Sequence, residues 1–124
     1  MSDRQTRIEA LLNDLVAREK LLGAAIISRD GLCVKALGRL DTNRETFSAM
    51  SATVMGAAEI AMGELEGGKT RSIIASTERV TMVLVGASGD LILVGYAPAG
   101  SSIASIVPRL ESAAKEVAIA VAGG

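Results

Sequence analysis

The chain has 124 residues, a net charge of −1, and about half of its residues hydrophobic, yet it has one Phe, one Tyr, no Trp and no His. That length suits one domain, residues 1–124, with an aliphatic core of Ile, Leu, Val, Ala and Met. Scattered Lys and Arg with no aromatic platform exclude a nucleic-acid partner, which would need a basic stripe and stacking surfaces; a single cysteine excludes an internal disulfide.

The opening MSDRQTRIEALL is charged from its start and lacks the apolar centre of a signal peptide, so a cytoplasmic protein is expected. Residues 4–20 read as an amphipathic helix, with Ile8, Leu11, Leu12, Leu15 and Val16 at helical spacing and Gly23 as its stop signal. A hairpin follows. Ala24–Ile27 and Leu32–Val34 flank Arg29-Asp30-Gly31, where glycine suits the left-handed position of a three-residue loop. Asp41, Thr42 and Asn43 offer N-caps for a middle helix reaching about Leu65, which Gly67-Gly68 ends. Three strands then form a meander: Thr70–Ser76, Val80–Ala87 and Leu91–Ala97. The last helix begins after Pro98-Ala99-Gly100, capped by Ser101 or Ser102. Its stripe is Ile103, Ile106, Val107, Leu110, Ala114, Val117 and Val121, and Pro108 implies a kink or an irregular first turn.

The order is α-β-β-α-β-β-β-α. Runs such as Met82–Val85 and Leu91–Val94 are apolar without alternation, so both sheet faces need cover. The expected fold is α/β: three layers, helix on sheet on helix, with a five-stranded, mostly antiparallel sheet.

Between Thr46 and Gly63 the middle helix carries a single charge, Glu59. Phe47, Met50, Val54, Ala57, Ala58, Ala61 and Leu65 read as its core stripe. The other face, Ala49, Ala52, Thr53, Gly56, Ile60 and Gly63 with Met55 and Met62 on a flank, is small and apolar where water would call for charge. Ser48, Ser51, Thr53 and Glu59 interrupt a stretch too short to cross a membrane, so membrane insertion is excluded. Small residues let a second helix approach closely. One helix cannot cover five strands, and Thr70–Ser76 offers an open edge. Homodimerisation is therefore expected through Ala49, Ala52, Met55, Gly56, Ile60, Met62 and Gly63, with Thr70, Ser72, Ile74 and Ser76 along the edge.

The helix order, the Gly23-Ala24-Ala25-Ile26 strand entry, the Asp30-Gly31 turn, the small-residue middle helix and the Leu91–Tyr96 strand together resemble the Roadblock/LC7 family, including its MglB-like members. The resemblance spans nearly the whole chain and lies in the order of these features. It implies a homodimer with a sheet continuous across two third strands and middle helices side by side. It also implies regulation or scaffolding of a Ras-like small GTPase, and no catalytic motif. The alternative is a structural adaptor subunit of a signalling or motor-type complex.

Residues 63–70, GELEGGKT, fit the P-loop pattern GxxxxGK[ST]. A phosphate loop needs a strand before it and a helix after it, and this chain has the reverse, with two glutamates inside the loop. A helix end followed by a strand is expected, with no bound nucleotide and no other cofactor. Absent histidine removes Ser-His and Cys-His systems and most zinc sites. Ser88, in a string that lacks the last glycine of a nucleophile elbow, reads as a turn residue, Cys33 as a buried inert thiol, and Asp30, Glu78 and Asp90 as separate turn carboxylates. No enzyme is indicated. Arg29, Arg39, Arg44 and Arg71 are the candidates for an arginine offered to a GTPase, and nothing in the sequence singles one out.

Overall fold

A computed structural model describes residues 3–38 and 43–123. They form α1 (Asp3–Glu19), β1 (Gly23–Ser28), β2 (Cys33–Gly38), α2 (Arg44–Glu64), β3 (Ile73–Ser76), β4 (Val80–Gly86), β5 (Leu91–Pro98) and α3 (Ile103–Gly123). The expected element order and three-layer α/β/α class are observed. Every pairing in the sheet is antiparallel, in the order β2-β1-β5-β4-β3.

The turns explain this order. Gly31 takes φ +97°, and Ser28 closes the three-residue loop by donating to and accepting from the backbone of Leu32. Leu32 lies in the turn and is exposed, so β2 begins one residue later than its sequence implies and runs on to Gly38. Ser88-Gly89-Asp90 joins β4 to β5 as expected, with Ala87 N–H on the Leu91 carbonyl at 2.9 Å. β5 lies mid-sheet between β1 and β4, which is why Ile92–Ala97 is buried without a break.

Opposite residues on neighbouring strands share a face, so register divides the sheet cleanly. Ala24, Ile26, Val83, Val85 and Leu93 point toward α1 and α3, where Leu12, Leu15, Leu110 and Val117 meet them. Ala25, Ile27, Leu84, Ile92, Val94 and Tyr96 point the other way, toward Met55 of α2. Two helices therefore cover one face and a single helix attends to the other.

The helix ends differ in detail from their sequence signals. Lys20, not Gly23, holds the left-handed position after α1 (φ +54°), and Leu21 N–H reaches back to the Val16 carbonyl at 3.0 Å. α2 ends the same way on Glu66 (φ +53°), whose N–H bonds the Gly63 carbonyl while Gly67 N–H bonds that of Met62, each at 3.0 Å. Both are Schellman closures with a side chain where glycine is favoured. Lys20→Gly is therefore expected to raise stability by about 1 kcal/mol, because an L side chain in this conformation costs roughly that much. Thermal melts of Lys20→Gly beside Lys20→Ala check it: the glycine should raise the midpoint by a few degrees and the alanine should not.

At the start of α2, Asn43 occupies the N-cap with no side-chain capping bond, and the alternatives Asp41 and Thr42 lie outside the described residues. Ser102 caps α3, its Oγ accepting from the N–H of Ser105 at 3.2 Å. The helix continues through Pro108. Ala104, whose carbonyl loses its partner there, is exposed and can use water instead.

Candidate interaction face and basic cleft

α2 stands on the sheet along Ser48, Ser51 and Met55, its three buried residues. Successive helical residues are rotated by roughly 100°, so Val54 and Gly56 project about a quarter-turn to either side of Met55. The stripe expected to be core and the face expected to meet a partner are thus its two flanks. Met50 (55% exposed), Val54 (40%) and Leu65 (73%), read from sequence as core, are open to solvent in the protomer. Met55, expected at the partner interface, is 1% exposed and belongs to the protomer's own core. Two equally apolar flanks are the reason: with one charge between Thr46 and Gly63, periodicity alone cannot say which edge is down.

Ala49 packs against the hairpin, with its Cα 3.2 Å from where a side chain on Gly31 would begin. Ala52 is half-buried against the sheet. Gly56 is half-buried with open space beside its Cα, and Ile60, Met62 and Gly63 are exposed. On the opposite flank the Phe47 ring meets that of Tyr96 on β5 at 6.0 Å. The flank carrying Met50 and Val54 consequently turns toward the β5-β4-β3 half of the sheet. There Ile73 and Met82 are half-buried and Ala75 is exposed, on the same sheet face as α2.

β3 is an edge strand, as expected, although it begins at Ile73 and leaves Thr70 and Ser72 in the segment before it. Ile74 and Ser76 are exposed, opposite Val83 and Thr81, and so face the α1–α3 side. Ile74 and Ser76 therefore lie on the edge strand but on the sheet face opposite α2.

The charged groups sort themselves plainly. Arg29 Nη1 donates to Glu59 Oε1 at 2.7 Å, both side chains about one-third exposed, and this pair ties the β1–β2 turn to α2. Arg71 reaches Glu111 of α3 through Nε and Nη2 at 3.2 and 3.4 Å. Arg44 is exposed, and Arg39 lies outside the described residues. The GELEGGKT string is a helix end followed by a strand, the order opposite to a phosphate loop. Its Lys69 and Thr70 nevertheless line a cleft of about 310 Å³ together with Arg29, Glu59, Arg71 and Ser88. Sequence reading missed this gathering, since the four segments are far apart in the chain. Ser88 is a turn residue, its Oγ accepting from Asp90 N–H at 3.2 Å, and Cys33 is half-buried rather than fully enclosed. Among the described residues no group of His, Cys, Asp and Glu is placed to hold a metal, and no helix is long and apolar enough to cross a membrane.

No curated protein is similar to the chain in sequence. Solved structures share its fold at low identity. An MglB with a tetrameric arrangement superposes with a TM-score of 0.90 at 15% identity, covering 99% of this chain and 93% of that one. The gliding protein MglB from Thermus thermophilus gives 0.89 at 14%, covering 100% and 95%. A Roadblock/LC7 domain from Streptomyces avermitilis gives 0.80 at 19%, covering 87% and 92%. The sequence model of the Roadblock/LC7 domain matches residues 7–97, from the middle of α1 to the end of the sheet. The chain belongs to the Roadblock/LC7 domain family.

Proposed function

We propose that this chain is a non-enzymatic homodimeric module that binds a Ras-like small GTPase. The observation that carries the dimer is the half-covered sheet face. α2 leaves Ile73, Ala75 and Met82 incompletely covered beside an apolar flank of its own, and the adjoining edge of β3 has unpaired backbone groups. Exposed apolar surface next to a free edge is the usual mark of an interface. A second copy related by a two-fold axis would lay its α2 beside the first and extend the sheet across both β3 strands, burying Met50, Val54 and the edge together. Gly56, Ile60 and Gly63 on the other flank, with the outer surface of the helix pair, are then left for the partner. Membership of the Roadblock/LC7 family and the likeness to MglB support a GTPase as that partner.

Light scattering on the full chain should return twice the monomer mass at micromolar concentration. Mixed with a Ras-like GTPase of the same organism loaded with a non-hydrolysable GTP analogue, the chain should co-elute as a complex containing two copies. A monomer mass at high concentration would defeat the dimer. A dimer that bound the GTPase in no nucleotide state would instead favour the adaptor reading.

A further inference from the structure

We propose that the cleft between the β1–β2 turn, the β4–β5 turn and the segment before β3 binds a phosphate group, free or as a monoester of a small molecule. This site borders α2, whose Glu59 lines it, and rests on its own lining rather than on what binds the helix. Arg29, Lys69 and Arg71 line it against one carboxylate, Glu59. Glu59 engages only Nη1 of Arg29, and Glu111 holds Arg71 from outside the cleft. Lys69 has no ion pair among the described residues, which leaves one ammonium uncommitted.

Two buried polar atoms point to a missing acceptor or donor. Arg29 Nε and Thr70 Oγ1, on two residues that line the cleft, are covered and have no hydrogen-bond partner among the described residues. Buried polar groups in folded proteins are nearly always satisfied, so two orphaned atoms on residues of one cavity wall are donors that a small side-chain adjustment turns to an occupant. The Ser88 hydroxyl adds a third: its oxygen accepts from Asp90 N–H, and its own proton remains free to donate into the cleft.

The donors come from three separate segments that line the space. Several donors from different segments match the three or four acceptor oxygens of a phosphate, where a carboxylate offers two. The volume, about 310 Å³, lies at the bottom of the usual range for small-molecule sites, roughly 300–1,000 Å³. No aromatic side chain lines it to stack a base. Lys69 and Thr70 of the GELEGGKT string thus serve an anion through their side chains, without the cradle of amides and the helix N-terminus that a nucleotide requires.

Titration of the full chain with inorganic phosphate and with glycerol phosphate, at ionic strength held constant with chloride, tests this by amide NMR spectra and thermal melts. Saturable shifts should be confined to residues 29, 69–71 and 86–89, with a raised melting temperature; the tighter of the two ligands identifies the source. Lys69→Ala, at an exposed position, should fold normally and weaken binding about tenfold, the worth of one charge-assisted hydrogen bond. Thr70→Val should weaken it too, and Lys115→Ala, outside the cleft, should not. Magnesium ATP and GTP should bind no tighter than glycerol phosphate. Absence of saturable shifts, indifference to Lys69→Ala, tighter binding of a dicarboxylate, or an affinity that depends on the base would each overturn the proposal.

Discussion

Val54→Asp is expected to split the proposed dimer into monomers. α2 runs from Arg44 to Glu64, and Val54 is its midpoint. In an antiparallel pair about a two-fold axis, a crossing centred on the helix would set the two Val54 side chains against each other. An aspartate there would place two like charges face to face in a surface that excludes water. Leaving a charge buried and unpaired costs several kcal/mol, comparable to the whole stability of a small domain. The variant should therefore run as a monomer by light scattering, or melt far below the parent, and lose any GTPase that binds the dimer. If this flank were in water the same change would be nearly silent, since Val and Asp have similar helix propensities. A Val54→Asp protein that kept its dimer mass and melting temperature would remove Val54 from the interface. Gly56→Ala reads the other flank. A side chain there meets nothing within 4 Å in the protomer, so a free flank should gain roughly 1 kcal/mol and a tightly packed one should lose stability.

The second large effect lies in the sheet. A side chain started at Gly23 would begin 2.2 Å from Tyr96 Oη and 2.6 Å from the Leu37 carbonyl oxygen. The second neighbour is backbone of the paired strand and cannot swing aside. Gly23→Ala should accordingly cost about 2–3 kcal/mol, the upper range for overpacking, and lower the melting temperature by roughly 5–10 °C. Gly95 supplies the contrast. Its nearest neighbours are methyl groups of Leu110 and Leu21, each at 3.2 Å, on side chains that can yield a few tenths of an ångström. Gly95→Ala should cost less than about 1 kcal/mol. Urea denaturation of the two variants side by side decides the matter; a Gly95→Ala protein weaker than Gly23→Ala would invert the argument.

Much of the fold was already legible in residue patterns. Strand runs without alternation required cover on both faces, the Asp30-Gly31 and Ser88–Asp90 turns fixed two hairpins, and the stripe from Ile106 to Val117 named the buried side of α3. These are local signals, where each residue's neighbours in sequence are also its neighbours in space. The surface of α2 was legible only as a whole. Its near-absence of charge showed that more than one side avoids water, but two apolar flanks of equal standing gave no phase. Contact with the sheet at Ser48, Ser51 and Met55 set that phase. The caps at Lys20 and Glu66 escaped notice because glycine lay a residue or more further on, and the backbone took its left-handed step where the helix had to turn. Arg29, Lys69, Thr70 and Ser88 carry no common pattern along the chain; antiparallel pairing of β1, β4 and β5 carries their turns to one end of the sheet. Sequence by itself determined the elements and the need for cover on both sheet faces. Which flank of α2 is open, and which distant charges share a cleft, are consequences of strand order and register, properties that exist only once the sheet has formed.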